Sequence, residues 1–119
     1  MTTLSKYKDN LITNLSFDYA LMIIEFSELL REKKKYVIAD QILRSGCSIG
    51  AHISQAQNAE SKADFKHKMK GGAKQADENE YWLLLCKHSK TYPFNEELIV
   101  KLESVMRVLN KIISTSKRA

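Results

Sequence analysis

One proline and four glycines in 119 residues leave this chain short of the residues that build tight reversals. A sheet of several strands needs many of them. The shortage, in a body rich in Leu, Ala, Lys, Glu and Ile, predicts an all-α domain. Two cysteines, Cys47 and Cys86, are too few for a disulfide framework and form no Cys-x-x-Cys pair, which predicts reduced, partly buried thiols. No apolar run approaches the roughly 20 residues of a membrane span. Met1 to Asn10 hold neither an apolar core nor a small-residue cleavage site, so a cytoplasmic address is expected. Catalytic motifs are missing as well: there is no glycine-rich phosphate loop, no Walker-type sequence and no Ser/His/Asp arrangement with recognisable local context. Asp64-Phe65-Lys66-His67 is a lone acid-x-x-His, whereas a di-metal bundle needs two such motifs and further carboxylates. No catalytic residue, metal, cofactor or small-molecule substrate is therefore expected.

What the chain does have is helical periodicity, enough for one domain around one core, with residues 1–13 expected as an N-terminal arm and 114–119 as a mobile tail. The first helix is expected to start near Asn14 or Ser16, either of which can cap it, and to end near Lys34. Its apolar residues exceed one stripe of about 100°. Phe17, Ala20, Leu21 and Ile24 lie along one line, while Tyr19, Met22, Ile23, Phe26, Leu29 and Leu30 spread around the cylinder. This surplus predicts self-association, with Tyr19, Met22 and Phe26, joined by Trp82, as contacts between copies. The second helix, residues 36–59, carries Ile38, Ile42, Ile49, Ile53 and Ala56 on one face and is thin at Ser45 and Gly46. An interior glycine costs about 1 kcal/mol relative to alanine. Gly46, Gly50 and, on the third helix, Gly72 therefore predict close packing of helix two against helix three. Ser61 and Asp64 have capping-box spacing and open a third helix, residues 62–89, with an inward line of Phe65, Met69, Gly72, Ala76, Glu80 and Leu83. Pro93 ends the pattern, Asn95 can cap a fourth helix, and Leu98, Leu102, Val105, Leu109 and Ile112 form its seam.

With these residues placed, the chain resembles the four-helix-bundle family of 23S rRNA intervening-sequence proteins, to which the accessory variability proteins of diversity-generating retroelements are related. The resemblance runs from Ser16-Phe17-Asp18-Tyr19-Ala20 through the last helix. It is most specific in Gln41 to Ala51, in Ala56-Gln57 with Ser61 to Phe65, and in Glu78-Asn79-Glu80-Tyr81-Trp82-Leu83. It implies an antiparallel up-down-up-down four-helix bundle, assembly as a homopentameric ring, no enzymatic activity, and nucleic-acid binding in the retroelement branch. His52, where Asn is usual, and the pair Gly71-Gly72 depart from the family pattern.

Charge supplies the candidate sites. Glu80 lies on an apolar line and a buried carboxylate is costly unless paired, so Arg44 is expected to engage it as a structural pair, with Ser48 or His52 completing the hydrogen bonds. Lys62, Lys66, Lys70 and Lys74 recur every fourth residue, with His67 beside them, and trace a slanted basic ridge. Repeated around a ring, such ridges would bind structured RNA or a ribonucleoprotein through many weak phosphate contacts. The competing expectation is a protein-interaction scaffold whose lysines serve solubility. Arg31 to Lys35 reads as a cationic helix end that complements the dipole, and Trp82 as packing or subunit contact.

Overall fold

The computed structural model describes residues 10–116 and contains four helices: α1 Leu11–Glu32, α2 Tyr36–Ala56, α3 Lys62–His88 and α4 Glu96–Ser116. Short connections force each helix back against its predecessor, and α1 packs on α2, α2 on α3, α3 on α4 and α4 on α1. The result is the expected antiparallel four-helix bundle. Residues 1–9 of the expected arm, and residues 117–119 of the expected tail, lie outside the described residues.

The first helix begins earlier than expected. Asn10 is its cap, accepting from the Thr13 amide at 3.3 Å, so residues 11–13 are the first helical turn and no part of an arm. Asn14 and Ser16 lie inside the helix, and the buried Ser16 hydroxyl donates to the Thr13 carbonyl at 3.2 Å. At the other terminus residues 114–116 continue α4.

The α1 C-terminus closes as a Schellman motif. The Lys35 amide donates to the Leu30 carbonyl and the Lys34 amide to that of Arg31, each at 2.9 Å. Lys34 occupies the position that usually belongs to glycine, with φ of 63°, a left-handed conformation costing a side-chain-bearing residue about 1 kcal/mol. At the far end of α2 the last turn tightens, with amides of Gln57, Asn58 and Ala59 bonding three residues back, so the helix stops at Ala56. Ser61 accepts from the Asp64 amide at 3.0 Å and Asp64 accepts from the Glu60 amide at 3.1 Å, which fixes the start of α3. Asn95 accepts from the Glu97 amide at 3.0 Å and does the same for α4.

The core is built from Tyr19, Ile23, Phe26 and Leu30 of α1, Ala39, Ile42, Ile49 and Ile53 of α2, Met69, Ala76 and Leu83 of α3, and Leu98, Leu102, Val105 and Leu109 of α4. Ile113 rather than Ile112 completes the α4 seam. On α3 the buried polar position is Asn79, not Glu80. Asn79 accepts the Tyr19 hydroxyl and donates to Ser45 Oγ at 3.0 Å and the Ile42 carbonyl at 3.2 Å, tying three helices together through the middle of the core. Every buried side-chain polar atom among the described residues has a partner, as a dry interior requires.

Candidate nucleic-acid interface

The Ser61 cap sets the phase of α3, and that phase places the lysine ridge. Successive members of the series Lys62, Lys66, Lys70, Lys74 rise about 6 Å each, giving a line on the order of 18 Å long. Lys62, Lys70, Lys74 and His67 are exposed and Lys66 is half-buried. None of the four lysines forms an ion pair among the described residues. Lys68, between them in sequence, is instead held to Asp64 at 2.6 Å. That contact, with the Glu60 amide, keeps the Asp64 carboxyl below the usual carboxylate range. Lys62, Ala63, Lys66, His67 and Lys70 line a shallow depression of about 400 Å³, with Ser116 from the end of α4 on its other side.

The Arg44 expectation is corrected. Its carboxylate partner is Glu78, not Glu80, and it also donates to Gln41 at 2.9 Å and Gln75 at 3.3 Å. Glu78 accepts a second bond from Trp82 Nε1 at 3.0 Å, and Trp82 meets Tyr81 edge to face at 5.3 Å. The cluster is half exposed, so Arg44 solves no buried-charge problem. Ser48 and His52 take no part: the Ser48 hydroxyl donates to the Arg44 carbonyl at 2.6 Å and His52 Nδ1 lies 2.8 Å from the Ser48 carbonyl. Glu80 acts at a distance, since its charge adds to burial in pushing the Tyr19 phenol above the ordinary range.

The expected contacts between copies also change. Tyr19 and Phe26 face their own core, so neither can meet a neighbour. Met22 and Trp82 are partly buried against the core edge. The outward apolar residues of α1 are Leu11, Leu21, Ile24 and Leu29. Among the glycines, a Cβ on Gly46 would meet two Ile23 carbons of α1 at 2.8 Å and the Asn79 amide of α3 at 3.1 Å, and Gly50 faces Ser16 of α1. Gly72 alone of the three fits the expected α2–α3 contact only, since a Cβ there would lie 3.4 Å from the Ile49 carbonyl, while one on its neighbour Gly71 would run into the His52 ring.

Other chemistry is sparse. Burial pushes the Cys86 thiol up to about 11 and raises that of Cys47, so neither supplies a thiolate near neutral pH. Among the described residues no three His, Cys, Asp or Glu side chains cluster to hold a metal, and no helix is long and apolar enough to cross a membrane.

The family model of the 23S rRNA-intervening sequence proteins matches residues 8–114. The chain belongs to this family. A crystal structure of a protein of unknown function from the S23 ribosomal protein family of Bacteroides thetaiotaomicron superposes with a TM-score of 0.81 at 35% identity, covering 86% of this chain and 97% of that one. A comparison with curated proteins finds no match. For a 23S rRNA-intervening sequence protein the sequence motifs now have positions. Arg44, whose guanidinium also donates to Gln41 on the same helix, meets Glu78 across the α2–α3 face, and Asn79 holds the core beneath them. Asn79 and Glu78 escaped the sequence reading as structural partners, although both stand in the most specific stretch of the resemblance. Their neutral and charged side chains respectively suit burial and exposure, and that signal was available.

Proposed function

We propose that this protein is a non-catalytic homo-oligomer, a pentameric ring acting in the cytoplasm, that binds structured RNA or a ribonucleoprotein through the basic ridge of α3. The observation that carries this reading is the set of lysines at 62, 66, 70 and 74, aligned on one face and engaged with no carboxylate among the described residues. A protein that needed lysines only for solubility would gain as much from scattered ones. Membership of a family named for an rRNA intervening sequence supports RNA as the polyanion. The outward leucines of α1 support self-association, and a ring would present several ridges to one RNA.

The test is binding of a structured RNA across a salt series, comparing the native protein with the Lys66→Glu/Lys70→Glu variant. Removing two phosphate contacts should lower the slope of log K against log salt by about 2 for each engaged protomer and weaken binding at every salt concentration. Equal slopes and equal affinities would favour the scaffold reading, with the lysines keeping the protein in solution.

A further inference from the structure

Because α1 and α3 run in the same direction, the α1–α2 turn and the α3–α4 loop meet at one end of the bundle, opposite the end where the ridge begins. There the structure stacks cations on rings. The Arg31 guanidinium lies 5.3 Å from the Tyr36 ring centre, the Lys35 ammonium 4.7 Å from that of Tyr92, and the Lys87 ammonium 5.9 Å from that of Phe94. Two acids of this end are already occupied, Asp40 by Arg31 and Glu96 by Lys87. Lys33, Lys34 and Lys90 are exposed and form no ion pair among the described residues, with Glu32 and Glu97 as the nearby opposing charges.

We propose that this end is a second nucleic-acid surface, distinct from the ridge, and that it holds unpaired nucleotides. Tyr36 is half exposed with a guanidinium against its ring, so an unstacked base can lie on the tyrosine or on the guanidinium plane while Lys33 and Lys34 meet the adjacent phosphates. A duplex, whose base faces are covered, can use only the lysines. The ridge has the reverse character: its lysines are interleaved with no exposed aromatic, and Phe65 packs on the core. Lys34 adds an independent sign. It sits in the left-handed position that glycine fills without strain, so the turn gives up stability to keep an ammonium at this site. From Lys74, the last lysine of the ridge, to the end of α3 at His88 is about 20 Å, so the two surfaces are separate along the helix, which suits an RNA with a paired stem and an unpaired loop.

The experiment measures fluorescence anisotropy of the full-length protein with two labelled RNAs of equal length, one free of self-complementarity and one fully duplex, at one salt concentration. Tyr36→Ser should weaken single-strand binding about tenfold while duplex binding changes less than twofold, and Tyr36→Phe, which keeps the ring, should bind like the native protein. Lys34→Gly should weaken single-strand binding and raise the melting temperature, so its loss of affinity cannot come from unfolding. The ridge variant Lys66→Glu/Lys70→Glu should retain the single-strand preference even if the ridge proves to bind nothing. Single-strand affinity unchanged in both end variants would overturn the proposal, as would equal losses on both RNAs. Native protein that binds polyglutamate more tightly than single-stranded RNA would overturn it in favour of an acidic peptide partner.

Discussion

Gly46 and Gly50 stand one turn apart on α2 and look equivalent in the sequence, yet their surroundings oppose each other. A methyl at Gly46 would meet Ile23 at its branch point, where neither carbon can swing away, and the Asn79 amide that holds the core network. A methyl at Gly50 would make ordinary contact with Ser16 at 3.5 Å. Gly46→Ala should therefore lose about 1–3 kcal/mol to overpacking, more than the helix-propensity gain, whereas Gly50→Ala should gain about 0.5–1 kcal/mol. Urea denaturation of the two single variants checks both signs. The same limit on legibility applies at positions 79 and 80. Each lies three or four residues from both Ala76 and Leu83, so helical spacing alone permits either to point inward. The partners decide between them. Tyr19 and Ser45 offer Asn79 a donor and an acceptor, and they would leave a carboxylate's charge uncompensated.

At the scale of the element, punctuation was readable where a side chain caps locally and unreadable where several candidates lay close together. Ser61, Asp64 and Asn95 cap as expected because each bond spans two to four residues. The start of α1 was expected at Asn14 or Ser16, but the cap is Asn10, whose amide also donates to Gln57 at the end of α2 at 2.7 Å. That contact crosses 47 residues and no local rule contains it. The face of α1 was misassigned for a related reason: a helix apolar on most sides has no preferred inward line until its neighbours are placed. Asp64 carries a prediction at this scale. Its carboxyl is held down chiefly by Lys68, then by the Glu60 amide. The folded value being below the unfolded one of about 3.9, its contribution to stability is fully present above that pH and disappears as pH falls through the depressed value. Denaturation midpoints of the native protein and Asp64→Asn should differ at neutral pH and converge in acid, whereas a constant gap from pH 7 to pH 2 would show that its charge does not matter to the cap.

At the scale of the whole molecule the unresolved balance is between apolar surface inside and out. Leu21 and Ile24 are 47% and 39% exposed on α1, and Leu11 and Leu29 extend the same helix's outward apolar surface. Tyr19 and Phe26 are fully spent on the protomer's own core, so the apolar surface α1 can offer a neighbour is these outward residues, beside Val37 of α2, Leu84 and Leu85 of α3 and Val100 of α4, which are also exposed. Light scattering should give a mass near five times the 13.7 kDa of one chain, and Leu21→Glu/Ile24→Glu should reduce it to a single chain with helix content intact. A native mass of one chain at all concentrations would remove the ring, and the RNA reading would then rest on single ridges. The two basic ends belong to this scale too, because only the antiparallel path brings residues 31–36 beside residues 87–94 while sending Lys62 to the far end.

The sequence by itself determined the class, the number of helices, the starts of α2, α3 and α4, and the four-residue spacing of the lysines on α3. These depend on spacing of 3.6 residues per turn, on caps within one turn and on the scarcity of turn residues, all of which are local. Only the tertiary structure decided which of two adjacent side chains is buried, which carboxylate meets Arg44, which glycine has no room, and which cations lie on aromatic rings. Each of those pairs residues from different elements of the chain, helix with helix or helix end with loop. Its outcome depends on the rotation of one helix against another, and a shift of one position, about 100°, exchanges a core residue for an exposed one.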